Sequence, residues 1–89
     1  MQYRLIYSET TRNLIRKLHP DQKTAIRASI KSLAEKPYSG KRLERELSGY
    51  HSVRVNRYRV IYQVNEKHRL IEIHYVGHRK DIYQLIREK

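Results

Sequence analysis

Between His51 and Val76 the chain carries three runs rich in β-branched residues and tyrosine: His51 to Val55, Tyr58 to Val64 and Leu70 to Val76. Such side chains suit a pleated surface and crowd a helix. The runs are divided only by Asn56-Arg57 and by Asn65-Glu66-Lys67-His68. Links this short join antiparallel neighbours, because parallel strands need a crossover of about a dozen residues or more. A three-stranded antiparallel meander is therefore expected, and the rest of the chain must cover one of its faces.

The preceding segment can do this. Residues Met1 to Tyr7 alternate, with Tyr3, Leu5 and Tyr7 on one side and Arg4 and Ile6 on the other, which predicts a further strand. Ser8 is placed to cap a helix whose apolar stripe is Leu14, Ile15 and Leu18, with Thr11 and Arg12 beginning its solvent face. His19-Pro20-Asp21 breaks that helix and starts another, since proline disfavours helical geometry in the residue before it and is welcome in a first turn. The second helix is expected from about Pro20 to Lys36, with Ile26, Ile30, Leu33 and Ala34 as its core stripe and Pro37 as its stop. The short link predicts an antiparallel helical hairpin. Residues 37–50 are expected as an ordered loop, with Leu43 and Leu47 tucked beneath the sheet, and Asp81 can cap a short last helix bearing Ile82, Leu85 and Ile86.

The sum is one α+β domain over residues 1–89: an N-terminal strand, a two-helix hairpin, a three-stranded meander completing one antiparallel sheet, and a short C-terminal helix. If both helices pack on one face, the other face or its rim is left for polar chemistry.

Charge indicates which chemistry. The chain has 20 Lys and Arg against 9 Asp and Glu, a net charge of +11. A polyanion is the expected partner, and nucleic acid fits best because neutralising phosphates releases counterions. No segment joins a basic face to an exposed apolar one, so a membrane surface is not expected. The absence of cysteine removes disulfides, thiol nucleophiles and thiolate metal sites. With no apolar run of spanning length and no signal-peptide pattern at the start, the cytoplasm is the expected location.

Strand parity sorts the candidate residues. Val53 and Val55 point one way, and Ser52, Arg54 and Asn56 the other. Tyr58, Val60, Tyr62 and Val64 form an apolar face opposed by Arg59, Ile61 and Gln63, so Arg54 and Arg59 are expected in the same groove if the apolar faces meet the helices. Tyr58 and Tyr62 then read as core. In the third run Ile71, Ile73 and Tyr75 share a parity, Leu70, His74, Val76 and His78 the other, with a slip expected near Gly77. His78 and Arg79 fall at the strand's end, and Tyr83 one helical turn later.

Such a cluster suits phosphodiester cleavage in RNA, where arginine forks match phosphate oxygens and a tyrosine or histidine can relay protons. His51, His74 and His78 lack the compact spacing of a metal-binding helix, and His19 and His68 read as helix-boundary and turn residues. No metal or other cofactor is expected. Gly-rich phosphate loops, nucleophile elbows and paired carboxylates are all missing from the sequence.

The stretch GYHSVRVNRYRVIYQV, followed by VGHRKDIY and preceded by a strand and a helical pair, resembles the RelE side of the RelE/ParE superfamily of toxins. The resemblance covers essentially the whole chain. It implies a ribosome-dependent endoribonuclease that cleaves messenger RNA in the ribosomal acceptor site and is held in check by a RelB-like antitoxin. It also implies a catalytic set of Arg54, Arg59, Arg79 and Tyr83, with Ser52 where some members carry a second basic residue and His78 where some carry lysine. RNA contacts are then expected from Lys41, Arg42, His51, Ser52, Arg57, His78 and Lys80. The alternative within the superfamily is the ParE branch, which shares the fold and acts on DNA gyrase by protein contact without a nuclease site.

Overall fold

The computed structural model describes residues 2–78; the expected C-terminal helix, with Arg79, Lys80 and Tyr83, lies outside them. The elements run β1 (Arg4–Tyr7), α1 (Glu9–Arg16), α2 (Pro20–Leu33), β2 (Lys41–Arg42), a single 3-10 turn (Arg45–Leu47), β3 (His51–Val55), β4 (Tyr58–Asn65) and β5 (Leu70–His78). All five strands form one sheet in the order β1-β5-β4-β3-β2.

The meander is present as expected. Its first hairpin turns at Asn56, which adopts a left-handed backbone (φ 57°) that asparagine tolerates better than most residues. Its second turns through residues 66–69, where the Asn65 side-chain oxygen accepts a hydrogen bond from the His68 amide at 3.1 Å. The sheet is mixed, however, not wholly antiparallel. The first strand, β1, runs parallel to β5, pairing Leu5 with Ile71 and Tyr7 with Ile73. The stretch expected as a loop also contributes a fifth strand, β2, whose Lys41 pairs with Ser52 and Arg42 with His51. Gly40 makes that approach feasible: a Cβ there would lie 2.5 Å from the Tyr62 hydroxyl and 2.8 Å from the Ser52 carbonyl oxygen. The same hydroxyl accepts from the Gly40 amide at 3.1 Å and donates to the Pro37 carbonyl at 2.8 Å, tying the segment to the core.

One face of the sheet carries the main core. Ile26, Ile30 and Leu33 of α2 are fully buried against Val55, Val60, Tyr62, Ile71, Ile73 and Val76. Removing each large aliphatic side chain from water contributes roughly 1.5–3 kcal/mol. Proline at its start and the His19 imidazole accepting from the Asp21 amide at 3.2 Å open α2.

The first helix, α1, sits differently. Because β1 stops at Tyr7, the edge of β5 beyond Ile73 has no strand beside it, and α1 covers that edge. Ser8 caps the helix by accepting from the Thr11 amide at 3.0 Å, while its own amide and hydroxyl donate to the carbonyls of Ile73 and His74. Thr11, expected on the solvent face, is fully buried, its hydroxyl donating to the Ile73 carbonyl at 2.9 Å. A threonine is needed there because carbonyls on a covered sheet edge require a donor. From this position Ile15 joins the main core and Leu14 a second cluster on the opposite face.

That second cluster is Leu47, Ile61 and Tyr75, with Leu14, Leu43 and Tyr50 packed against it. Tyr75 reaches this face through a bulge. Ile61 pairs with Tyr75 while Tyr62 pairs with Ile73, so His74 is the extra residue and the parity of β5 reverses there. The slip expected near Gly77 occurs three residues earlier.

Candidate nucleic-acid interface

The face opposite α2 is thus divided. Leu43, Leu47 and Tyr50 cover one end of it, over Ile61 and Tyr75, and beside them His74 Nε2 meets Gln63 Oε1 at 2.7 Å. The other end is polar. Here the β3–β4 register sets Arg54 directly opposite Arg59, and on its other side Arg59 pairs with Gly77, which has no side chain to crowd it. The expected pairing of Arg54 and Arg59 in one groove is what the register produces.

The two arginines are held unequally. Arg59 is half-buried and donates from Nη1 to the Ser52 hydroxyl at 2.9 Å, and Ser52 is itself only 1% exposed. Arg54 is exposed and, among the described residues, donates only to the Asn56 carbonyl, at 3.2 Å. Among the described residues neither guanidinium meets a carboxylate. Like charges directly opposite on a sheet destabilise it. An anion laid across the pair would relieve that repulsion, and a phosphate fits the forked donors.

The other expected contacts separate by face. Lys41 is opposite Ser52 and so lies on the arginine face, and Arg57 is at the exposed tip of the hairpin. Ser52 is buried beneath Arg59, so it serves as an anchor for that side chain more than as a surface contact. His51 and Arg42 face the other way. The His51 ring stacks on Tyr62 with centroids 5.3 Å apart and meets Tyr38 edge-on at 5.6 Å. His78 pairs with Tyr58 and contacts its ring edge-on at 6.0 Å, also on the α2 side. Neither histidine shares a face with Arg54 and Arg59. Arg79, Tyr83 and Lys80 fall outside the described residues.

Near His51, the Glu66 carboxylate accepts from the Tyr38 hydroxyl and pushes it up to about 12, so Tyr38 keeps its proton at neutral pH. Burial, reinforced by the Arg42 charge, lowers His51 from its ordinary value. No helix among the described residues is long and apolar enough to cross a membrane.

Comparisons with known proteins agree with this architecture. Residues 5–83 match the family described as the ParE toxin of the type II toxin–antitoxin system, parDE. Toxin RelG of Mycobacterium tuberculosis is 35% identical over 86 residues, covering 94% of this chain and 99% of that protein. The crystal structure of the toxin–antitoxin complex RelBE2 from the same organism superimposes with a TM-score of 0.83 at 32% identity, covering 89% of this chain and 100% of the matched one. A mutant of Escherichia coli toxin RelE in the free state shares the fold with a TM-score of 0.78, over 99% of this chain and 98% of that one, at 18% identity. A sheet with a parallel first strand, a helix laid over its edge and two arginines opposite each other on the face away from α2 accompanies a family match over most of the chain: the protein belongs to the RelE/ParE superfamily and is a toxin of a type II toxin–antitoxin system.

Proposed function

We propose that this toxin is an endoribonuclease of the RelE type, cutting messenger RNA on the ribosome, with Arg59 and Arg54 as its phosphate clamp. The observation that carries this reading is the cross-strand pair of arginines, without a carboxylate partner among the described residues, with Arg59 fixed by the buried Ser52. In the reaction the ribose 2′-oxygen forms a bond to the adjacent phosphorus as the bond to the 5′-oxygen breaks. The 2′-hydroxyl gives up its proton to a base, and the leaving oxygen receives one from an acid. Negative charge builds on the non-bridging oxygens, where guanidinium forks stabilise it. The family resemblance assigns Arg79 to the same task and Tyr83 to proton transfer, and both follow closely on β5 in the chain. A RelB-like antitoxin of acidic character is the expected inhibitor, in keeping with the RelBE2 complex of the relative.

The test is primer extension on a message in a purified translation system, with and without ribosomes. Arg59→Ala should lower cleavage by about a hundredfold or more, the usual cost of losing one transition-state donor, while circular dichroism stays unchanged. Wild-type cleavage by the folded variant would sink the assignment. The family match to ParE toxins supports a second reading, inhibition of DNA gyrase by protein contact. It predicts no message cleavage by the wild-type protein and a loss of supercoiling activity when gyrase is mixed with it.

A further inference from the structure

A second concentration of positive charge lies on the other side of the sheet. Arg12 and Arg16 of α1 and Lys23 and Arg27 of α2 line a cleft of about 450 Å³, floored by Tyr7 and Ile15. Tyr7 and Ile15 belong to the core on the α2 face, so this cleft is turned away from Arg54 and Arg59. The spacing is regular. Each helix contributes two cations four residues apart, which places them just over one turn, about 6 Å, along its axis. None of the four meets a carboxylate among the described residues. Burial raises Tyr7 from its ordinary value, opposed by the Arg27 charge, so its hydroxyl stays protonated and able to donate.

We infer that the α1–α2 cleft is a second RNA contact, taking backbone phosphates of a folded RNA that reaches both faces of the toxin. Resting on the reading above, this adds the kind of RNA surface that the toxin must meet besides the cleaved strand. Two rows of cations at a helical turn's spacing suit successive phosphates of one strand, and three of the four are arginines with forked donors. A protein partner would need apolar anchors to fill; besides the four cations the lining offers Ile15, which is 4% exposed and already packed, and Tyr7, which is partly buried against the core. Membrane attachment would need exposed apolar side chains at the rim. The exposed large ones among the described residues, Ile6 and Tyr38, do not line the cleft.

The experiment is fluorescence anisotropy of the full chain with a labelled RNA hairpin, without ribosomes, across a salt series. Arg16→Ala/Arg27→Ala should weaken binding by roughly tenfold per lost phosphate contact near 0.1 M salt and reduce the slope of log affinity against log salt by about 1–2. Lys36→Ala/Lys67→Ala removes the same charge from exposed positions outside the cleft and should change the slope by much less. Equal losses in the two variants would show a net-charge effect and overturn the inference. Displacement of the hairpin by polyglutamate as readily as by unlabelled hairpin would also overturn it, in favour of an acidic protein partner. Since cleavage plays no part in the readout, a toxin that binds through the cleft yet cuts no message would sink the proposed function alone.

Discussion

His51 shows how one side chain can be a near neighbour of Arg54 in sequence and lie on the opposite face of the sheet from it. Its ring is layered on Tyr62, and its Nδ1 is buried without a hydrogen-bond partner among the described residues. Burial and the nearby Arg42 both oppose its protonation, so its folded value lies below the ordinary 6.5. The unfolded chain therefore binds more protons than the folded one as pH falls below about 6.5, and stability must drop in that direction. Urea midpoints measured from pH 7 to pH 5 should fall for the wild type and fall less for His51→Phe, which keeps a ring on Tyr62. Parallel declines would show that His51 does not carry the effect. Parity alone puts His51 with Val53 and Val55, so its place on the α2 side was legible in the sequence. The burial of Ser52 was not, because it depends on β2 lying alongside and on Arg59 folding over the hydroxyl.

At the scale of the elements, the two central hairpin strands carry a cost that the proposed phosphate clamp would explain. Arg54 and Arg59 face each other across the β3–β4 ladder, and Arg54 has little to hold it. Replacing Arg54 by threonine, a good strand former, should raise stability by roughly 0.2–1 kcal/mol, the scale of a cross-strand pair. The same variant should cut messages less well. Urea denaturation and primer extension on one preparation would test both halves, and a variant that lost stability would argue against the repulsion. Here sequence and structure agree closely, since alternation through Val53–Arg54–Val55 and Tyr58–Arg59–Val60 suffices to put both arginines on one face. It does not suffice for β2, two polar residues whose pairing depends on Gly40, nor for β1, whose parallel partner is 66 positions away (Leu5 with Ile71). The bulge at His74 is equally silent in the pattern, and by reversing the parity of β5 it sets Tyr75 on the arginine face.

For the molecule as a whole, the unresolved balance is electrostatic. A net charge of +11 on 89 residues opposes the compact state, and among the described residues no lysine or arginine meets a carboxylate. Two clusters on opposite faces, Arg54 with Arg59 and the α1–α2 cleft, concentrate the repulsion. Anything that binds these clusters in the folded state alone must stabilise the fold by mass action. Sulfate, a small divalent oxyanion, should therefore raise the thermal midpoint more than chloride at matched ionic strength. A site of about 10 mM affinity in about 50 mM sulfate adds about 1 kcal/mol, or about 4–8 °C for a domain of this size. Sulfate also strengthens burial in any protein by exclusion from its surface, so the informative quantity is the difference between two chains. Arg16→Ala/Arg59→Ala removes one cation from each cluster and keeps the general effect. Its midpoint should rise with sulfate by several degrees less than the wild type's. An equal rise in both would mean that the charge is spread over the surface without forming sites, and both the phosphate clamp and the cleft would lose their electrostatic basis.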